Sequence, residues 1–119
     1  MMASANVGAV VRGLKTRTAA VATALVSRDG LVLYADLPAG VHAETFAIMC
    51  ATVFGAAATI GSELTRESPE QIVVEGNGST TIIVDSGRSG LLAVMVGPTA
   101  EYPNVVGEVK RFAELLKVG

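Results

Sequence analysis

The chain has 119 residues, a formal net charge of −2, half of its residues apolar and 17% charged. That composition fits one globular domain with a real core and excludes a disordered chain. It holds no surplus of positive charge for nucleic acid or an anionic membrane surface, and with 4% aromatics and no Trp it has no base-stacking platform.

Residues 1–17 predict an opening helix, since Val7, Val10, Val11 and Leu14 recur at helical spacing. Gly8 and Gly13 lower its propensity, so packing must hold it. Residues 19–27 and 31–36 read as two strands joined at Asp29-Gly30, a strong hairpin signal between apolar runs. Arg12, Lys15 and Arg17 before the apolar run 18–26 give the outline of a secretion signal. The hairpin explains that run better, because cleavage would discard half of it. The single cysteine, Cys50, excludes an intramolecular disulfide and fits a reducing compartment. The expected location is cytoplasmic.

Residues 41–66 predict a long central helix whose middle, 46–61, carries no charge. At about 100° per residue it sorts into two apolar stripes. Phe46, Met49, Cys50, Val53, Ile60 and Leu64 form a bulky one, expected to face a sheet. Ala47, Ala51, Gly55, Ala58 and Ser62 form a small one, expected to meet the same helix of a second copy at close range. The run approaches membrane-spanning length. Its threonines, glycines and many alanines make a weak insertion signal, so no membrane insertion is expected.

After the helix, residues 67–70 punctuate. Three strands then follow, Gln71–Glu75, Thr80–Asp85 and Leu91–Val96, separated by Gly76-Asn77-Gly78 and by Ser86-Gly87-Arg88-Ser89-Gly90. Short turns impose antiparallel neighbours. These runs are apolar on both alternating faces, so the sheet is covered on both sides. Residues 101–118 close with a helix that lines up Val105, Val109, Phe112 and Leu116. The expected fold class is α+β: one domain over residues 1–119, in the order α-β-β-α-β-β-β-α. The central helix covers one face of a five-stranded antiparallel sheet, and the two terminal helices share the other.

No catalytic set emerges. One histidine and one cysteine exclude a dense His/Cys metal cluster, and His42 reads as a solvent-facing first-turn residue. Gly76-Asn77-Gly78 leads into a strand, whereas a phosphate cradle leads into a helix. Turn chemistry accounts for Asp85-Ser86-Gly87 and for Asp29. Arg28 and Arg88, both in turns, remain as candidate contacts for a partner. No enzyme activity, catalytic residue, cofactor or metal is expected.

The element order, with Leu25-Val26-Ser27-Arg28-Asp29-Gly30-Leu31-Val32, the long small-residue helix and the meander closed by Gly97-Pro98, resembles the Roadblock family. The resemblance runs from about Val7 to Leu116. It is weakest in the short, glycine-containing first helix. That family includes dynein Roadblock-type light chains and the bacterial and archaeal partners of Ras-like small GTPases. The resemblance implies a profilin-like α/β/α sandwich that dimerises by antiparallel pairing of its third strand, with the central helices side by side. Here that maps onto Gln71, Val73 and Glu75 and onto Ala47, Ala51, Gly55, Ala58 and Ser62. It implies a homodimeric adaptor that binds a small GTPase and modulates its nucleotide cycle. A structural dimerisation scaffold without a GTPase is the alternative, and a small-molecule sensor with a core cavity is a third reading.

Overall fold

A computed structural model of the chain describes residues 4–98 and 102–118. The expected helix residues 1–3 and 101 lie outside the described residues. Helix α1 spans Ser4–Thr18, β1 Ala22–Val26, β2 Val32–Asp36, α2 Ala43–Leu64, β3 Gln71–Glu75, β4 Thr80–Asp85, β5 Leu91–Val96 and α3 Tyr102–Val118, with a 3-10 turn at Gly87–Ser89. The element order is the expected one, and β3, β4 and β5 have the expected bounds.

The first strand is shorter than expected, because α1 runs on to Thr18 and needs a cap. Thr18 Oγ1 donates to the Leu14 carbonyl at 2.8 Å. Ala19 then takes φ 53°, and the Ala20 N–H reaches back to the Lys15 carbonyl at 3.2 Å. A left-handed residue after the last helical turn is a common helix stop.

The sheet order is β2-β1-β5-β4-β3, with every neighbouring pair antiparallel. The β1–β2 hairpin turns where its sequence predicts. Gly30 donates to the Ser27 carbonyl at 3.0 Å and Ser27 donates to the Leu31 carbonyl at 2.8 Å. Gly30 holds φ 92°, a conformation that only glycine adopts without strain.

The two sheet faces are built from different sizes of side chain. One carries Leu25, Ile82, Val84, Leu92 and Val94 and packs under α1 and α3 through Val11, Leu14, Val109, Phe112 and Leu116. The other carries Ala24, Val26, Ile83, Leu91 and Ala93 and packs under α2. Ala24 sits opposite Ala93, so a shallow patch runs down the middle of the α2 side. Burial of these residues at about 25 cal/mol per Å² of apolar surface drives the collapse.

Candidate interaction surface

Helix α2 fills that shallow patch with small residues of its own. Ala47, Cys50 and Phe54 are buried against the sheet, at i, i+3 and i+7, one helical face. This corrects the expected orientation. The bulky stripe turns inward only in part: Cys50 is buried and Phe46 packs against the core, whereas Met49, Val53, Ile60 and Leu64 are 52%, 38%, 61% and 78% exposed. The small stripe is split. Ala47 is fully buried in its own chain and is closed to a second copy. Ala51 and Ala58 are half-buried, while Gly55 and Ser62 are exposed. The cause is steric. Alanines on both surfaces let helix and sheet approach closely, and one large ring, Phe54, fills the remaining space. Phe54 belonged to neither expected stripe.

The exposed arc of α2 has two flanks. One carries Ile48, Thr52, Gly55 and Thr59 and lies toward the β1–β2 hairpin, since a Cβ added at Gly30 would meet Ile48 and Ala51. A Cβ added at Gly55 would meet nothing within 4 Å. The other flank lies toward β3. There Phe46, Met49, Cys50, Val53, Val74, Thr81 and Ile83 line an apolar groove of about 150 Å³. Gly55 and β3 therefore lie on opposite flanks of the helix, and one two-fold interface centred on β3 does not take Gly55 to its centre.

Strand β3 is an edge strand, and its hydrogen-bonding phase can be read from its ends. Gly76 donates to the Ser79 carbonyl at 2.8 Å, and Asp85 donates to the Glu70 carbonyl at 3.1 Å. The register pairs Ile72 with Ile83 and Val74 with Thr81. In an antiparallel ladder, directly bonded pairs alternate with unbonded ones. Residues 70, 72, 74 and 76 thus spend their backbone groups on β4. Gln71, Val73 and Glu75 turn theirs outward, away from the sheet. Beside this open edge run the groove and the bulky flank of α2.

The two arginines part company. Arg28 pairs with Asp85, and its guanidinium lies 5.6 Å from the Phe54 ring centroid. It clasps the β1–β2 turn to the end of β4 and to α2, 57 residues away in sequence from its carboxylate partner. It is a structural tie, not a free tip. Asp85 also accepts from the Gly87 N–H at 2.8 Å, and buried Ser86 donates to the Gly90 carbonyl at 2.9 Å. Arg88 is exposed. Among the described residues it makes no ion pair.

Gly76-Asn77-Gly78 turns between β3 and β4, and His42 is the exposed N-cap of α2. Burial pushes the Cys50 thiol up to about 11, which keeps it protonated and unreactive at neutral pH. Among the described residues no three His, Cys, Asp or Glu side chains converge as a metal site. Helix α2 has the length and apolarity of a membrane span, with mean hydropathy 1.6, yet one of its faces is committed to the sheet.

Layering, sheet order and the open third strand beside a long apolar helix define a profilin-like α/β/α sandwich. The chain belongs to the Roadblock/LC7 domain family, whose model matches residues 7–95. An uncharacterized protein of Methanocaldococcus jannaschii is 34% identical over 93 residues, covering 78% of this chain and 81% of that one. MglB of Myxococcus xanthus superposes with a TM-score of 0.93 at 15% identity, over 99% of this chain and 90% of that one. A solved structure described as MglB with tetrameric arrangement gives 0.90 at 23% identity, with the same coverage of 99% and 90%. At such identities these two structures establish the shared fold.

Proposed function

We propose that the chain is a homodimeric, non-catalytic adaptor of the cytoplasm that binds a small Ras-like GTPase and modulates its nucleotide cycle. One observation carries the dimer: three outward-facing residues of an unpaired edge strand adjoin an apolar groove and the exposed Met49, Val53 and Ile60 of α2. An open edge beside apolar surface invites strand pairing and is normally covered. A second copy supplies both covers at once: its own β3 for the edge and its own α2 for the bulky flank. The same cover accounts for a span-like helix without a membrane. The GTPase rests on family membership, since the Roadblock family resembled by the sequence includes partners of Ras-like GTPases. The mechanism is conformational: the paired helices form a platform that binds one switch state of the GTPase more tightly than the other. Arg88, exposed and without an ion pair among the described residues, contributes to that contact; Arg28 does not.

Light scattering across a dilution series tests the dimer, with Val53→Glu placing two like charges near the dyad. Wild type is expected to stay dimeric at micromolar concentration, and Val53→Glu to become monomeric while keeping its circular dichroism. For the partner, the dimer is used to enrich small GTPases from native lysate with GTP or GDP added. The purified GTPase is then assayed for nucleotide release and hydrolysis. A GTPase that binds and changes either rate supports the reading. Enrichment of large structural proteins alone supports the scaffold reading instead.

A further inference from the structure

We propose that self-pairing is selected by a charged latch in which Glu75 of one copy enters between Gln71 and Lys110 of the other, twice per dimer. The proposal rests on the β3-paired dimer above and adds its register and its recognition chemistry.

The register follows from the edge. A two-fold axis through Val73 pairs Val73 with the partner's Val73 and Gln71 with the partner's Glu75, so all three outward residues of each copy are used. Moving the axis to residue 72 sets Glu75 opposite Pro69, which has no N–H to give. Moving it to residue 74 sets Gln71 opposite Asn77, beyond the end of the strand. An axis at Glu75 would put two carboxylates directly opposite each other, which is repulsive. The Val73 axis is the one that avoids all three faults.

This register has consequences for side chains. Gln71, Val73 and Glu75 share one face of the strand, and Val73 packs against the core under α1 and α3. The partner's Glu75 therefore arrives on the α3 side, opposite Gln71, with Cα atoms about 5.5 Å apart. On that side Gln71 and Lys110 line one cleft together with Glu67, Ser68, Pro69 and Glu70, and among the described residues Lys110 is the one cation that lines it. Glu70 precedes the strand and stays in the cleft on the α3 side, but among the described residues its carboxylate makes no ion pair with Lys110. Among the described residues, neither Lys110 nor Glu75 makes an ion pair. Gln71 Oε1 is buried without a hydrogen-bond partner. The arriving carboxylate meets two donors, the Gln71 amide N–H and the Lys110 ammonium. A strand lacking an acid at the matching position leaves them open, so the latch discriminates against other edges.

Charge reversal tests this with full-length protein. Lys110→Glu alone and Glu75→Lys alone each place like charges together at both junctions, and each homodimer is expected to dissociate at least tenfold more readily. Mixing the two variants pairs Glu with Lys at both junctions, so the mixture is expected to form a heterodimer in preference to either homodimer, as read by native mass spectrometry. The double variant Lys110→Glu/Glu75→Lys is expected to regain homodimerisation. The preference is expected to shrink in 1 M NaCl. Both residues are exposed, and circular dichroism checks that each variant is folded. A wild-type dimer whose two reversed variants mix at random, or whose double variant stays weak, overturns the latch and leaves the dimer standing. A wild-type monomer overturns both.

Discussion

Substituting Val73 by proline separates the fold of one copy from its pairing with another. Proline removes one N–H and fixes φ near −65°, which edge strands accept where that N–H faces away from the sheet. The Val73 N–H is an outward one, so no bond of the β3–β4 ladder is lost. What the single copy loses is part of the packing of a partly buried valine against the core, about 1 kcal/mol. The dimer loses more. The two reciprocal bonds between Val73 and the partner's Val73 vanish, at about 1 kcal/mol each, and two carbonyl groups are left facing a ring without a donor. Together this is about 2 to 4 kcal/mol, or about 30- to 1,000-fold in Kd.

Val74→Pro is the control. Its N–H points inward to Thr81, so the same chemical change breaks the sheet of the single copy. Sedimentation equilibrium gives the Kd, and thermal melting at several concentrations gives the stability. Wild-type Tm is expected to rise with concentration, because association stabilises the folded state. Val73→Pro is expected to melt cooperatively at a concentration-independent Tm, and Val74→Pro to melt far lower. A Val73→Pro protein that dimerises with wild-type affinity would refute β3 pairing. One that is as unstable as Val74→Pro would refute the assignment of the outward residues.

Gly55→Ala adds a Cβ into open space on an exposed helix, so it is expected to stabilise by about 1 kcal/mol and raise Tm by a few degrees in a melting scan. Gly61→Ala has the same helix propensity gain but sets its Cβ 2.3 Å from the Glu67 carbonyl oxygen, so it is expected to destabilise by about 2 kcal/mol in a urea titration. Arg28→Ala is expected to cost about 1 kcal/mol through the lost Asp85 pair and the Phe54 contact, whereas Arg88→Ala leaves Tm unchanged and weakens partner binding. Cys50, with its thiol raised to about 11, is expected to resist iodoacetamide at pH 8 when folded and to react readily in urea. The unfolded thiol loses its proton near pH 9 and the folded one only near 11, so this residue's contribution to stability falls as pH rises through that window.

The course of the chain was legible where local chemistry decides it. Asp29-Gly30 dictates a hairpin because the loop needs a residue at positive φ. The last three strands show their ends because polar turns interrupt apolar runs. The outward role of Gln71, Val73 and Glu75 could be placed by family resemblance but justified only by the ladder phase, which depends on where β4 bonds begin and end. The Arg28 clasp was illegible, since no local pattern links it to Asp85 across 57 positions. The clasp also shows why a charged turn residue is not by itself evidence for a partner.

The orientation of α2 was the instructive failure. A helical wheel ranks faces by size and polarity; with both stripes of α2 apolar, only size separates them, and size alone points the bulky stripe inward. The deciding term lay on the other surface. The α2 side of the sheet has Ala24 facing Ala93 at its middle, and a surface that small accepts a helix through Ala47, Cys50 and a single Phe54. A bulky stripe there would hold the helix off and open voids, each forfeiting contacts along its walls. The helix therefore turns its thin face to its own sheet and leaves Met49, Val53 and Ile60 in the open. Exposed apolar side chains beside an unpaired strand are costly for a monomer but suited to a copy that brings the same pair of features. In the proposed dimer the contact surface of α2 is therefore the bulky flank beside β3 rather than the small one. A charge at Val53 is accordingly expected to disrupt the dimer more than any alanine-sized change at Gly55.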